Sequence, residues 1–288
     1  MIVARSPAEL EAAERAVAIG TFDGVHRGHR AVIDAVKATG LRSTVLTFEP
    51  HPRLVLGYDV QLLTTFERRL ELLDEAGPDE VLVVEFTQEL SCLEPEDFVA
   101  RYLTAIGAAV VVAGEDFRFG AGRRGDVSLL RSQGVEVRAV PLLAGVSSSR
   151  IRELVREGDL PGAAALLGRP FELEGEVVYG DQRGGTLGFP TANISPDAHV
   201  LVPAYGIYVG ATLGHRVAAS IGVNPHYGGS ERRIEAFLLD FEGDLYGARL
   251  RLELWERLRE ERAFASEEEL LAQIAADVEA ARAARPPG

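Results

Sequence analysis

Apolar residues follow two different patterns along this chain. As far as about residue 168, short continuous apolar runs alternate with amphipathic stretches. The runs AVAIG (16–20), STVLTF (43–48), VLVVEF (81–86), AAVVVAG (108–114) and VEVRAVPL (135–142) are apolar on successive residues. A strand needs that composition when both of its faces are covered, as in a parallel sheet. Between the runs, HRAVIDAVKATG (29–40), FERRLELLDEAG (66–77) and PEDFVARYLTAIG (95–107) carry helical periodicity, and each ends on a glycine, a usual helix stop. Strand–helix alternation of this kind predicts right-handed crossovers and a doubly wound sheet, whose ligands sit beyond the carboxyl ends of the strands.

Near Phe171 the pattern changes. FELEGEVVYG (171–180), GIYVGATLG (206–214), HRVAASIGVN (215–224), RRIEAFLLDF (232–241) and LYGARLRLELWERL (245–258) are short segments, several of them alternating, with glycine-rich turns and no helix between them. They predict an antiparallel sheet that closes on itself. A final helix is expected over SEEELLAQIAADVEAARAA (266–284). Ser266 and Glu269 would form its capping box, and Leu270, Leu271, Ile274 and Val278 its apolar stripe. The boundary between the patterns falls at 168–172, which divides the chain into domains 1–168 and 169–288.

Charge and composition narrow the function. With 44 acidic and 30 basic residues the net charge is −14, which argues against a protein that coats nucleic acid or an anionic membrane. A locally positive pocket for a small phosphorylated ligand remains compatible with it. Lys37 is the only lysine. That excludes a Walker P-loop, which ends in Gly-Lys-Ser/Thr, and a protein kinase with its strand-borne lysine. One cysteine, Cys92, excludes an intramolecular disulfide and a cysteine-based zinc site. No apolar run approaches the roughly 20 residues of a membrane span, and the first twenty residues lack the pattern of an export signal. A reduced cytoplasm is the expected compartment.

Two stretches concentrate chemistry. In AIGTFDGVHRGHRAV (18–32), Gly20, Gly24 and Gly28 accompany His26 and His29 where a strand gives way to a helix. Unpaired N–H groups and the positive end of the helix dipole favour an anion there, and imidazoles can donate to phosphate oxygens as charge develops. A zinc site would need a third ligand, and no cysteine or well-placed histidine is close in sequence. In GDQRGGTLGFPTANI (180–194), glycines let backbone amides face a ligand, and Thr191 and Asn193 lie on one side of an extended segment. Such oxygen donors suit Mg²⁺, which keeps waters and takes its other ligands from substrate phosphate. An inert glycine-rich hairpin would have the same pattern.

GTFDGVHRGH (20–29) resembles the HxGH motif of the α-phosphate nucleotidyltransferases. TFEPHP (47–52), LLT (62–64), GEDFRFGAGRRGD (114–126) and SSSRIR (147–152) extend the resemblance to one branch, the bacterial bifunctional riboflavin kinase/FAD synthetases. Class I aminoacyl-tRNA synthetases share HxGH but carry a lysine-containing loop where this chain has serines and arginine. GFPTAN (188–193), VPAYGIYVG (202–210), IGVNP (221–225), RRIEAFLLDF (232–241), DLYG (244–247) and QIAAD (273–277) resemble the riboflavin kinase half.

The resemblance implies a Rossmann-like N-terminal domain of HxGH type. It implies a C-terminal six-stranded antiparallel barrel with a terminal helix. In the first domain it assigns Gly20, Phe22, Asp23, Gly24, His26, His29, Asp116, Ser148, Ser149 and Arg152 to the nucleotide. His26 and His29 would hold ATP phosphates, and Ser148, Ser149 and Arg152 the departing pyrophosphate. Read from the residues alone, Ser147–Ser149 are equally a plain helix cap. In the second domain the resemblance assigns Gly180, Gly188, Pro190, Thr191, Asn193, Asn224 and Glu235 to nucleotide and flavin. Thr191 and Asn193 would bind Mg²⁺·ATP, and Glu235 would be the general base. Without the resemblance, Glu235 reads as an exposed strand residue.

The implied function is conversion of riboflavin and ATP to FMN and ADP, then of FMN and ATP to FAD and pyrophosphate. Mg²⁺ would accompany ATP, and no nucleic acid or membrane would be a partner. Gly145, His226, Tyr227 and Phe237 depart from the family pattern. Two other readings are a chain with the kinase activity alone and a non-catalytic flavin or nucleotide sensor. A sensor would have no need of the base Glu235.

Overall fold

The central apolar runs become one sheet because each alternates its side chains between two covered faces; the last run, VEVRAVPL, departs from that expectation and forms an edge strand that is mostly exposed. The computed structural model describes residues 1–114, 117–141, 143–180, 189–223 and 232–287. A three-residue edge strand, β1 (Ile2–Ala4), is too short to show a period and is not predicted by the pattern. The five predicted strands follow as β2 (Arg15–Ile19), β3 (Arg42–Glu49), β4 (Glu80–Glu85), β5 (Ala108–Ala113) and β6 (Glu136–Ala139). All pair in parallel, in the order β1-β4-β3-β2-β5-β6.

Helices α1 (Arg27–Lys37), α2 (Pro52–Val55), α3 (Phe66–Ala76), α4 (Gln88–Ser91), α5 (Pro95–Phe98) and α6 (Val127–Ser132) accompany the sheet. Ala16, Ala18, Val45, Val81, Val83, Val110 and Val112 pack with Ile33 and Val36 of α1 and Leu72 and Leu73 of α3. The alternate residues Val17, Leu46, Leu82 and Val111 pack with Phe98, Tyr102, Leu103 and Leu130 on the other face. The segment expected as one helix over 95–107 is a single α turn. It continues with π-type bonding over Val99–Leu103 and a 3-10 turn over Thr104–Ile106 before Gly107 ends it at φ 72°.

After β2 the chain builds outward through β3 and β4, then crosses back to place β5 on the other side of β2. The carboxyl end of β2 is therefore the topological switch point, where an open α/β sheet leaves a crevice.

The second half closes into a barrel. Strands β7 (Phe171–Val178), β8 (Thr191–Pro196), β9 (Gly206–Thr212), β10 (His215–Val223), β11 (Arg232–Leu238) and β12 (Arg249–Arg259) are antiparallel neighbours in the ring β10-β11-β8-β7-β12-β9. Leu173, Val177, Ile194, Val217, Ala219, Ile221, Ile234, Ala236, Leu238, Leu250, Leu252 and Leu254 belong to its core. The terminal helix, here α9 (Glu267–Ala283), starts as the sequence predicts: the Ser266 hydroxyl accepts the Glu269 N–H at 3.2 Å. The Glu269 carboxylate in turn accepts the Ala265 N–H at 3.2 Å.

The chain divides into two compact units, Met1–Val60 with Phe66–Val146, and Gln61–Thr65 with Ser147–Gly288. Helices α7 (Ser148–Glu157) and α8 (Leu160–Leu167), which precede the expected boundary at 168–172, bury Ile151, Leu154, Val155, Leu160 and Leu167 in the same cluster as the barrel core. The segment 61–65 joins that unit as well. Leu62 exchanges backbone hydrogen bonds with the 199–201 segment, Leu63 enters the core, and the Thr65 hydroxyl donates to Glu174 at 2.6 Å.

Candidate active sites

The first site is the loop from β2 into α1. Phe22, Gly24 and Val25 have φ of 51°, 81° and 38°; two of these are left-handed non-glycine residues, a strained geometry that concentrates at functional loops. The loop ends on His26, the N-cap of α1, whose Nδ1 accepts the His29 N–H at 3.3 Å. With Nδ1 accepting, neutral His26 carries its proton on Nε2, which makes Nε2 a donor. The rings of His26 and His29 stack with centroids 3.6 Å apart and planes 15° from parallel. Phe22 closes over His29 at 5.0 Å. Gly28 permits this: a Cβ there would stand 3.1 Å from the His26 ring and 3.7 Å from Val146.

His26 and Asp23 are buried, at 6% and 1% exposure. His29 keeps part of its surface open, but its Nδ1 is out of water and without a hydrogen-bond partner among the described residues. Desolvation, with a smaller contribution from His26, holds the His29 pKa well below its ordinary 6.5. His29 is therefore neutral at neutral pH, and the stacked pair does not set two cations against one another.

A stability effect follows from that shift. The unfolded chain protonates His29 near pH 6.5, the folded chain only at lower pH, so the unfolded state binds more protons in between and stability falls as pH drops. The thermal midpoint is expected to fall between about pH 7 and about pH 5, less steeply in His29→Asn. Equal slopes in the two proteins would contradict the shift.

Ser147 caps α7 by accepting the Arg150 N–H at 3.1 Å, which leaves Ser148 and Ser149 in its first turn. Arg152 is buried, and its Nε donates to the Gln61 carbonyl at 2.6 Å. These residues belong to the unit that contains the barrel, whereas His26 and His29 belong to the sheet. Asp116 lies outside the described residues.

The second site is on the outer wall of the barrel. Along β11, Ile234, Ala236 and Leu238 point into the core, so Glu235 and Phe237 must point out. Glu235 sits opposite Asn193 and Phe237 opposite Thr191 across the β8–β11 pair. The Thr191 hydroxyl donates to a Glu235 carboxylate oxygen at 3.4 Å. Gly180 lies under Asn193, where a Cβ would stand 2.2 Å from the amide nitrogen. The structure thus gathers Gly180, Thr191, Asn193 and Glu235, with Pro190 just ahead of β8. Gly188 and Asn224 fall outside the described residues, as do His226 and Tyr227.

Gly180→Ala is expected to lower FMN formation about tenfold or more by swinging the Asn193 amide aside. FMN-to-FAD conversion should stay near wild type, because the change is confined to the barrel wall. Unchanged FMN formation in a steady-state assay would count against the site.

Thr191, Glu235 and Phe237 open into a cavity of about 360 Å³ between barrel and α9, whose lining includes Phe189, Ile207, Phe264, Leu270, Ile274 and Val278. Leu270, Ile274 and Val278 of the predicted apolar stripe of α9 thus form a cavity wall, and Leu271 does not. Arg259 also lines it, held by Asp277 with Nη2 2.6 Å from a carboxylate oxygen. Ser220 and Glu261 complete the polar rim, 3.4 Å apart. Partial desolvation raises the Glu261 pKa above its ordinary 4.5; the Ser220 hydroxyl and Arg259 oppose the shift, and the Glu235 charge adds to it. The sequence carries no local signal for Arg259, Glu261 and Phe264, and Asp277 of the QIAAD segment meets Arg259 only through tertiary packing.

A parallel sheet with an HxGH loop at its switch point, joined to a closed barrel with a carboxylate beside a glycine-cradled Thr-x-Asn, defines a nucleotidyltransferase-type domain fused to a flavokinase-type domain. The FAD synthetase family model matches residues 8–151 and the riboflavin kinase family model residues 167–285. The chain is 38% identical over 290 residues to the bifunctional riboflavin kinase/FMN adenylyltransferase of Listeria monocytogenes, covering 93% of this chain and 92% of that one. It is 37% identical over 284 residues to the Escherichia coli K12 enzyme of the same name, covering 92% and 90%. A crystal structure described as a macrolide-efflux protein from Streptococcus pneumoniae matches with a TM-score of 0.89 at 29% identity over 99% of both chains. Among the described residues of this chain, no helix is long and apolar enough to cross a membrane. The chain belongs to the bifunctional riboflavin kinase/FMN adenylyltransferase family, as its motifs led one to expect.

Proposed function

We propose that the chain makes both flavin cofactors in sequence, phosphorylating riboflavin in residues 169–288 and adenylylating FMN in residues 1–168. The observation that carries this reading is that both constellations are intact in one chain: the stacked His26–His29 pair, and Glu235 with Thr191, Asn193 and Gly180.

In the kinase half, the riboflavin 5′-hydroxyl oxygen attacks the γ-phosphorus of ATP. The bond to the β-phosphate oxygen breaks, ADP leaves, and Glu235 takes the hydroxyl proton. The cavity beside Glu235 accepts the apolar ring system, which brings the attacking hydroxyl to the carboxylate. Thr191 and Asn193 present a hydroxyl and an amide oxygen on one face of β8, a donor set that fits Mg²⁺ arriving with ATP. Bound there, the ion would neutralise charge on the transferring phosphates.

In the adenylyl half, a phosphate oxygen of FMN attacks the α-phosphorus of ATP, the α–β bridge breaks, and pyrophosphate leaves. No covalent enzyme intermediate is needed. His26, with Nδ1 committed to the helix, donates from Nε2 to phosphate oxygens, and His29 stacks behind it. The resemblance gives Ser148, Ser149 and Arg152 to the pyrophosphate and Asp116 to the nucleotide. Phe22, Asp23 and the glycines Gly20 and Gly24 shape the loop that admits it. Catalysis here is positioning and electrostatic stabilisation.

A reducing cytoplasm suits this reading, since the single cysteine, Cys92, is exposed and has no disulfide partner in the chain. Incubating the protein with riboflavin and Mg·ATP and separating the flavins by chromatography tests the whole reading. FMN should appear first and FAD after it; appearance of neither would end it.

A further inference from the structure

The His26–His29 loop rests on a cation that none of the roles above employs. Arg69, on α3, is 3% exposed and lies over the Phe66 ring, 5.2 Å from its centroid. Its Nη1 donates to the Thr21 carbonyl at 3.0 Å. Its Nη2 donates to the Phe48 carbonyl at 3.0 Å and to the Glu49 carboxylate. Its Nε is buried with no hydrogen-bond partner among the described residues.

The two carbonyls lie at the carboxyl ends of adjacent strands. Thr21 is two residues past the end of β2, and Phe48 is in the last turn of extended chain in β3. The Thr21 carbonyl also accepts the Thr47 hydroxyl at 3.2 Å. Beyond Thr21 come the left-handed residues Phe22, Gly24 and Val25, and then His26. Two donors on one carbonyl fix the direction in which that strained turn leaves the sheet.

As a stabilising device this arrangement is poor. A guanidinium taken out of water with one N–H unmatched keeps a desolvation cost that its partners do not fully offset. As a fixture it is well suited, because the rigid fork reaches one carbonyl on each strand at once, which a lysine ammonium does not do in the same way.

We propose that Arg69 is a positioning residue for adenylyl transfer. It locks the Thr21 carbonyl to the end of β3 and so holds the Phe22–Val25 turn, with His26 and His29, in the geometry that meets the ATP phosphates. The inference rests on assigning adenylyl transfer to this loop, and each variant is therefore compared with wild type in both reactions.

The test uses the full chain carrying Arg69→Met or Arg69→Lys, with FMN-to-FAD and riboflavin-to-FMN rates measured on the same samples. Misplaced phosphate donors lose more in the transition state than in the ground state. In Arg69→Met, kcat for FAD formation is expected to fall about 100-fold while the KM for ATP moves less than about threefold. Riboflavin phosphorylation should stay within about twofold of wild type, and Arg69→Lys should recover part of the loss. FAD formation at the wild-type rate in Arg69→Met, or an equal fall of both reactions, would overturn the proposal. Should Arg69→Met fail to fold, Thr47→Val removes only the other donor to the same carbonyl. It is expected to slow FAD formation about fivefold and leave FMN formation intact; no change would overturn the proposal equally. A wild-type protein that made no FAD from FMN would instead refute the assignment of the loop.

Discussion

Replacing His26 and His29 together with alanine is expected to reduce FMN-to-FAD conversion by about 1,000-fold or more while FMN accumulates from riboflavin. Removing one preorganised donor from a developing oxyanion typically costs about 100- to 1,000-fold, and groups that act as a unit do not add independently. His26 has a structural duty as well, because its Nδ1 caps α1. Loss of an N-cap costs about 1 kcal/mol, so the alanine variant will melt somewhat lower. His26→Asn separates the two duties: asparagine caps a helix well but lacks the Nε2–H. It should keep the thermal midpoint and lose FAD formation. A His26→Asn protein with wild-type FAD formation would make the imidazole a cap alone.

The second large effect belongs to Glu235. Glu235→Gln keeps the size of the side chain and its neighbour Thr191 but removes the proton acceptor. FMN formation should fall about 100- to 10,000-fold, the range that a general base contributes. FMN supplied from outside should still become FAD at the wild-type rate. A steady-state assay of each step on the same preparation decides it. If this change silenced adenylyl transfer too, in a protein that still folds, the two reactions would share one site.

The parts of this molecule that its sequence discloses are those with a local cause. Both faces of each central strand are covered, which is why AAVVVAG and VLVVEF read as buried strands. The alternation Ile234, Glu235, Ala236, Phe237, Leu238 assigns Glu235 to the outer wall, yet only tertiary structure shows that it faces Thr191 and a cavity. The HxGH spacing places two imidazoles on one helix turn, and they stack there.

What escaped has a non-local cause. Arg69 looks like a surface residue of an amphipathic helix until β2 and β3 lie side by side beneath it. Arg259 and Asp277 meet only when α9 folds back on the barrel. Leu62 and Leu63 are too short an apolar run to signal that Leu63 enters the core of a barrel whose first strand begins about a hundred residues later. Helices α7 and α8 continue the strand–helix rhythm of the first half, so periodicity assigns them there, while their buried leucines pack against the second.

The central claim is that two separate sites act on two different phosphorus atoms of ATP, and isotope position tests it most directly. Riboflavin is incubated with Mg·ATP labelled either at the γ- or at the α-phosphorus, and FMN and FAD are separated and counted. The γ-label should enter FMN and persist in FAD, whereas the α-label should enter FAD alone. α-Label in FMN, or FAD formed without it, would contradict the account.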